Sequence, residues 1–331
     1  MSLVTIILPA FNAEKTIARA IQSALSQEYS NLEVIVIDDG STDSTFNICQ
    51  KIALSDKRLK VIHTTNSGPS SARNKGLQEA RGQYICFLDA DDEMQSEMVE
   101  LLVQKMRGNI DLVACGYRVK SSTQKHTFEK VPEAGVWNAS EMYAPIEKLQ
   151  DISGFNPLWN KIFRLSIIRE NNIKMNLSVS MGEDFLFVSD YISCCSGKIV
   201  LVDDVLYTYF LSKNSLQTTA NSGADRITRD FEQLDYLKQI CAKKHYPLRL
   251  IYKEECRKAY TALLLSENIK RDFKYIESMG IVDEFEHIDR SYGIKFYVFA
   301  LLAKARSELL ISVCIRVFRF MKQLTKTSFI W

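Results

Sequence analysis

The sequence predicts an α/β protein with a mostly parallel central sheet, followed by a smaller α-helical C-terminal region. In the first third of the chain, short β-branched runs alternate with longer amphipathic segments, a pattern typical of βαβ units. From about residue 225 onward, apolar residues recur with helical spacing. We therefore predict a first domain over residues 1–220 and a helical region over residues 221–331.

The predicted elements follow one another in chain order. Five apolar runs are interpreted as buried strands, at 4–8, 33–37, 60–63, 84–88 and 111–115. Helices are expected near 13–28, 43–54, 69–80 and 94–107, and later over 226–244 and 248–271. Ligands of a parallel sheet bind beyond the carboxyl ends of its strands, so polar residues that follow strands are the first candidates for a site.

Composition and charge limit the class of protein. Hydrophobic residues make up 46% of the chain and charged residues 25%, as in ordinary folded proteins. The net charge of +2 gives no support for a nucleic-acid partner, and none is predicted. The eight cysteines form no CxxC pair, which favours reduced thiols, a cytoplasmic protein and no zinc site. The apolar start lacks a preceding basic residue, which favours a strand over a signal peptide.

An acidic pair, Asp89 and Asp91, separated by Ala90, follows the apolar run at 84–88. Carboxylates at an exposed strand end suit a divalent cation, which prefers hard oxygen ligands and can neutralise a leaving diphosphate. The plain alternative is a solvated turn and helix cap. The position after an apolar strand, opposite a second acidic loop, favours the metal site.

That second acidic loop contains Asp39 and Asp43. Asp43 is expected to cap the next helix, whereas Asp39 is free to accept a hydrogen bond from the N–H edge of a uracil-like ring. Two turn aspartates are the alternative. Arg73 lies near the start of the third predicted helix, where backbone N–H groups and a cation together suit an anion; an exposed helix face is the alternative there.

A third acidic pair, Glu183 and Asp184, lies between a glycine and an apolar segment. A general base must be a carboxylate close to the acceptor hydroxyl, with a neighbouring acid that tunes or orients it. Two acids that cap a helix are an equally good interpretation of this pair taken alone.

These motifs resemble those of glycosyltransferase family 2, in the same order. The resemblance covers roughly residues 3–215 and rests on six segments: TIILPAFN (5–12), VIVIDDGS (34–41), ARNKG (72–76), FLDADD (87–92), WNKIF (159–163) and MGEDF (181–185). It implies a GT-A fold, a nucleotide-sugar donor and inversion at the anomeric carbon. It also implies a nucleotide-sugar-binding half, 1–115, and an acceptor half, 116–220.

The resemblance implies roles for residues at matching positions around the donor. Pro9, Asp39 and Arg73 would contact the nucleotide, which is expected to be UDP, and Ala10 would line its pocket. Trp159 would form the floor of the acceptor or donor-sugar pocket, unless it is a core tryptophan.

The reacting groups are also implied by the resemblance. Asp89 and Asp91, on either side of Ala90, would hold the diphosphate through Mn²⁺ or Mg²⁺, Asp91 most directly. Asp184 would be the general base, with Glu183 beside it. It would take a proton from an acceptor sugar hydroxyl, which attacks the anomeric carbon opposite the nucleotide through a transition state of oxocarbenium character.

One position departs from the family pattern. In many relatives an arginine near the diphosphate follows a Tyr-rich strand, and here Phe210 stands at about that point. Lys213 is the candidate to replace it, although a lysine offers a point charge where arginine offers a bidentate fork.

Other functions fit the sequence less well. A sugar-nucleotide cytidylyl- or uridylyltransferase needs a Gly-rich basic loop after the first strand, and a dinucleotide-dependent oxidoreductase needs G-x-G-x-x-G after a strand. The sequence contains neither. A non-catalytic nucleotide-sugar-binding or scaffold protein is the remaining alternative, and it is disfavoured because all the acidic motifs are present.

The C-terminal segment is basic and amphipathic. Residues 291–331 contain seven Lys or Arg and one acid. In the last predicted helix, an apolar face (Leu310, Val313, Val317, Phe320, Leu324) stands opposite a polar face (Ser312, Arg316, Arg319, Gln323). This pattern predicts a helix in an anionic membrane interface, peripheral on the cytoplasmic face of the inner membrane and serving a lipid-linked acceptor. A helix packed on the catalytic domain or on a second subunit is the alternative.

Overall fold

The computed structural model describes residues 1–121, 127–139, 157–179, 182–211, 224–246, 248–288, 290 and 294–325. The chain divides into two compact units, Met1–Ser215 and Leu216–Trp331.

A ten-stranded sheet forms the centre of the first unit. Its strands are β1 (Val4–Ala10), β2 (Leu32–Asp38), β3 (Leu59–His63), β4 (Tyr84–Phe87), β5 (Glu93–Met94), β6 (Ile110–Ser121), β7 (Thr127–Lys130), β8 (Gly135–Asn138), β9 (Lys161–Arg164) and β10 (Lys198–Leu211). Their order is β3-β2-β1-β4-β9-β6-β10-β5, with β7 paired to β6 and β8 paired to β10.

The predicted α/β class is confirmed, and the first four strands are parallel to one another. β1 pairs with β2 and β4, and β2 pairs with β3, all in parallel. Every residue of β2 is buried, as expected of a strand covered on both faces. Beyond β4 the sheet is mixed, because β9 lies antiparallel between β4 and β6, while β10 is parallel to β6.

Six helices of the first unit are described: α1 (Ile17–Leu25), α2 (Thr45–Ala53), α3 (Pro69–Glu79), α4 (Met98–Lys105), α5 (Leu165–Glu170) and α6 (Glu183–Ser193). α3 is the helix that matters most for the site. A Cβ atom on Gly76 would lie 2.4 Å from Cγ2 of Ile7, so only glycine lets α3 approach β1 this closely. This close approach places Arg73, one turn earlier, beside the carboxyl ends of the strands.

The loops that follow β1, β2 and β4 meet at one edge of the sheet. The Asp39 N–H donates to the Ala10 carbonyl at 2.8 Å, and the Leu88 N–H donates to the Ile7 carbonyl at 3.0 Å. The chain runs from β1 through β2 to β3 on one side and returns to β4 on the other side of β1. Such a reversal of strand order opens a crevice at the carboxyl ends, where ligands bind.

The second unit is helical. Its described helices are α7 (Ala224–Lys243), α8 (Arg249–Leu265), α9 (Ile269–Ser278), α10 (Ile294–Lys304) and α11 (Glu308–Thr325), with a 3₁₀ turn at Asp283–His287. The single helix expected over 248–271 is two helices. The break follows from Asn268, whose side chain accepts from the Arg271 N–H and so starts a new helix as an N-cap.

The faces of α11 differ from the predicted ones. Ser312 and Arg319, expected on a polar outer face, are turned inward: Ser312 is buried, and the Arg319 guanidinium donates to the carbonyls of Leu263, Leu264 and Ser266 at the end of α8. The physical reason is that the last carbonyls of a helix lack partners within it. Arg316 is exposed, as expected. The side chains of Phe320, Gln323 and Leu324 lie outside the described part of the chain.

None of the helices described here combines the length and apolar character needed to cross a membrane.

Candidate active site

A buried arginine joins the two predicted reaction centres. Arg73, in the second turn of α3, is 7% exposed. Its Nη2 lies 3.0 Å from Oδ1 of Asp89. Its Nη1 lies 3.6 Å from Oδ1 of Asp184 and 3.8 Å from Oε1 of Glu183. The acid that follows β4 and the acid pair at the start of α6 therefore face one guanidinium.

The charges around Arg73 are mutually dependent. Burial by itself lowers the pKa of Arg73, but Asp184, Asp89 and Glu183 raise it, so the guanidinium stays charged. Burial raises the pKa of Asp184 to about 7; Arg73 opposes this rise, and the charges of Glu183 and Asp89 add to it. A carboxylate with a pKa near neutrality is matched to proton transfer at physiological pH.

Asp184 has an unused hydrogen-bonding position. Its Oδ1 is buried and has no hydrogen-bond partner among the described residues, since 3.6 Å to Arg73 is too long for a hydrogen bond. The side chain as a whole is 26% exposed, so part of it is open to a ligand. Oδ1 thus interacts with Arg73 through charge, without a hydrogen bond.

The local backbone fixes the two acids of α6. Gly182 precedes the helix with a φ of 84° in the left-handed region, which glycine adopts without steric cost. Glu183 and Asp184 occupy the first turn, where the helix dipole favours negative charge. Their placement therefore agrees with both interpretations of this pair, as the start of a helix and as a functional site.

Strand β10 anchors the acidic loop that follows β4. Tyr207 is fully buried; its hydroxyl donates to Oδ2 of Asp92 at 2.8 Å and accepts from the Asp89 N–H at 3.3 Å. The Phe210 N–H donates to Oδ1 of Asp92 at 2.9 Å. Burial, followed by the charges of Asp89 and Asp91, raises the pKa of Asp92 well above its usual value. Asp92 is thus an anchor that holds Asp89 and Asp91 in place.

An arginine from α1 reaches the same loop. Arg19 donates to the Asp91 carbonyl at 2.5 Å and lies 3.0 Å from Oε1 of Glu93. Its guanidinium stacks 3.9 Å above the centre of the Phe210 ring, as cation–π pairs do. The position at which the resemblance implies an arginine is therefore aromatic, with a cation stacked on it. Lys213 lies outside the described residues.

The loop that follows β4 offers oxygen donors of the kind that a divalent cation prefers. Burial and then the charge of Asp89 raise the pKa of Asp91, so a nearby cation would stabilise the charged form of this carboxylate. No cluster of three or more His, Cys, Asp or Glu suited to a metal occurs within the described ranges. The protein would supply the two carboxylates of Asp89 and Asp91, and phosphate or water would complete the shell, as Mg²⁺ commonly requires.

Comparison with known proteins decides the family. The model for glycosyl transferase family 2 matches residues 5–172. The chain is also 31% identical over 284 residues to the uncharacterized glycosyltransferase EpsJ of Bacillus subtilis, covering 82% of this chain and 81% of that protein. The chain belongs to glycosyltransferase family 2.

Solved structures share the fold of this glycosyltransferase. Residues 1–349 of Staphylococcus aureus TarS, in complex with UDP-GlcNAc, align with a TM-score of 0.61 at 19% identity, over 96% of this chain and 92% of that one. The mannosyltransferase PcManGT of Pyrobaculum calidifontis, in complex with GDP-Man and Mn²⁺, aligns with a TM-score of 0.53 at 15% identity, over 96% and 86%. The expected GT-A fold, followed by a helical region, is confirmed.

The residues predicted around the nucleotide lie at the ends of β1 and β2 of the glycosyltransferase. Ala10 is buried and Pro9 partly buried. The sequence suggested that Asp39 is free, but its two oxygens accept from the N–H groups of Ser67 and Gly68 at 2.9 and 2.8 Å. Each oxygen keeps a second lone pair, so contact with a ligand stays a prediction.

Trp159 of this family 2 enzyme lies in the core. It is buried, stacks on Tyr207 with ring centres 4.2 Å apart, and meets Tyr117 edge-on at 4.7 Å. The core alternative for this tryptophan matches the structure. Because the Tyr207 hydroxyl forms hydrogen bonds to both Asp89 and Asp92, Trp159 supports the acidic loop indirectly, through its stacking on Tyr207.

Three residues that contact or influence the acidic residues were given no role at the level of sequence. Lys161 is fully buried, donates to the Pro157 carbonyl and to Oδ1 of Asn160, and has its pKa lowered to about 7 by burial, against the charges of Cys115 and Asp184. Its place within the WNKIF segment was the signal that could have found it. Tyr207 begins the Tyr-rich segment before Phe210 but was given no part of its own, and Arg19 gave no signal because it resembles an ordinary helix residue.

Arg73 offers a first test of this arrangement. We expect Arg73→Met to lower the free energy of unfolding by about 3–5 kcal/mol, because three carboxylates would lose their buried counter-ion. Arg118→Met is the matched control, since Arg118 pairs with Glu129 at the surface; such pairs contribute at most about 1 kcal/mol. Urea denaturation measures both variants, and equal losses would contradict the central position of Arg73.

Proposed function

We propose that this protein is an inverting, metal-dependent glycosyltransferase that moves a sugar from a UDP-sugar to an acceptor sugar hydroxyl. We further propose that the acceptor is a lipid-linked saccharide used in the assembly of a surface glycan. One observation carries the proposal: Arg73 lies between Asp89 and Asp184, so a leaving diphosphate and an attacking hydroxyl would meet in the same crevice.

The residues of the crevice would divide the work of the reaction among them: proton transfer, binding of a metal and positioning. Asp184 accepts the proton of the acceptor hydroxyl, and Glu183 helps to keep its pKa near 7. A bound Mn²⁺ or Mg²⁺, held by Asp91 and Asp89, would supply the positive charge that a departing diphosphate requires. Arg73 is a positioning residue, since it holds Asp89 and Asp184 at fixed separation. Attack from the side opposite the nucleotide inverts the anomeric carbon.

The choice of UDP and of a metal rests on likeness and on charge. The TarS structure contains UDP-GlcNAc, and the PcManGT structure contains GDP-Man and Mn²⁺; both proteins share the fold of this chain. The repulsion between the charges of Asp89 and Asp91, which a cation would relieve, supports the metal independently.

A thermal-shift screen of UDP- and GDP-sugars with Mn²⁺ tests the donor. We expect one UDP-sugar to raise Tm the most, because a ligand at about 100 times its Kd stabilises the folded state by roughly 2.7 kcal/mol. The same donor should be hydrolysed slowly without acceptor. A larger shift with a GDP-sugar would overturn the choice of nucleotide, and tight donor binding without any turnover would favour a scaffold protein.

A further inference from the structure

The last helix exposes an apolar surface on the side away from its packed face. Leu309, Leu310, Val313 and Val317 of α11 are 67%, 47%, 51% and 49% exposed; we refer to these four residues as the α11 stripe. Ile311 and Ile315, on the opposite side, are fully buried. The helix is thus already packed through one face, and the stripe is not needed for that packing. Contiguous exposed apolar residues mark an interaction site.

Positive charge borders the α11 stripe. Arg316 is exposed between Val313 and Val317 in the chain, and Lys304 is exposed at the end of α10, four residues before α11 begins. Neither cation has a salt-bridge partner in the part of the chain that the structure describes. The nearby acid, Glu308, is neutralised by Lys274 at 3.0 Å. The border of the stripe therefore carries uncompensated positive charge.

A second copy of this chain would cover the stripe poorly. A two-fold interface brings identical patches together, so Arg316 of one copy would approach Arg316 of the other at a cost in repulsion. A stable interface also needs about 20–30 residues on each side, many more than the four of the stripe.

An anionic bilayer would bind both the apolar side chains of the stripe and the cations beside it. Apolar side chains of an interfacial helix enter the outer part of the bilayer, while cations at their border meet the headgroups. We propose that the α11 stripe, bordered by Lys304 and Arg316, docks this protein on an anionic membrane surface. The inference goes beyond the proposed function, since it does not depend on the sugar chemistry.

Co-sedimentation of the full chain with vesicles tests the proposal. We expect binding to vesicles of phosphatidylglycerol and phosphatidylcholine in equal parts, and much weaker binding to phosphatidylcholine alone. Leu310→Asn combined with Val313→Asn should reduce the partition coefficient by more than about tenfold. Arg316→Gln should reduce it by about fivefold, and added salt should act in the same direction. Leu54→Asn, at a position 90% exposed in the first unit, is the matched control and should bind like the wild type.

Three results would overturn the proposal: no vesicle binding, unchanged binding by the double variant, or a vesicle-free dimer that the double variant dissociates. Donor-induced thermal shifts, measured without vesicles, should be the same in all these variants. Loss of docking with intact donor binding therefore reports on the stripe alone. Absence of donor binding in the wild type reports on the proposed function instead.

Discussion

Replacing Asp184 by asparagine should lower the rate of sugar transfer by about 10²–10⁴-fold, with donor affinity nearly unchanged. Asparagine has the same shape but cannot accept the proton of the acceptor hydroxyl. Arg73 keeps two of its three carboxylates, Asp89 and Glu183, so the crevice should persist. Initial rates and donor Kd, measured with the donor that the thermal screen identifies, separate these two effects.

Asp190→Asn on the same helix is the matched control, because it also removes one negative charge from α6. It should transfer sugar at the wild-type rate. A variant at Asp184 that also kept this rate would remove its assignment as the base.

The pH dependence of transfer reports the same group. Asp184 must be ionised to act, and its pKa is about 7, so the rate should rise as the pH increases through about 7 and level off above it. Glu183→Gln removes a charge that raises this pKa, so the rise should move to lower pH. A profile unaffected by Glu183→Gln would mean that another group controls the reaction.

The parallel half of the sheet could be predicted because its strands are buried on both faces. A strand such as β2 then consists of one apolar run, and the polar residues that follow it stand out. Strand β9 could not be found in this way. It begins with Lys161, and the burial of that lysine depends on acceptors at Pro157 and Asn160 that only the folded chain supplies.

Tertiary hydrogen bonds account for the other differences. Arg319 is turned inward because carbonyls some 55 residues earlier in the chain lack partners, which no helical periodicity reveals. The motifs suggested that Asp89 and Asp184 act together, but not that Arg73 joins them. A buried cation with three acidic neighbours is visible only when residues 73, 89 and 184 are brought together in space.

Replacing Asp91 by asparagine should lower metal-dependent donor affinity by about a hundredfold or more, which corresponds to the several kcal/mol that a bound cation contributes to charge stabilisation. The protein should remain folded. Burial and the charge of Asp89 already raise the pKa of Asp91, so its neutralisation relieves repulsion. Asp89 is a less suitable target, because it bonds to Arg73 and its loss would disturb the Asp184 side of the crevice as well.

Titration of the donor with Mn²⁺ and with a chelator, in the wild type and the Asp91 variant, measures this effect. The wild type should lose affinity when the chelator is added, whereas the variant should bind weakly under both conditions. Glu93→Gln is the matched control: it removes a neighbouring charge that pairs with Arg19 and should keep the response to metal. If chelator leaves the wild-type affinity unchanged, protein cations alone must balance the negative charge of this loop. Arg19, stacked on Phe210 beside the Asp91 carbonyl, would then be the group to test against the diphosphate.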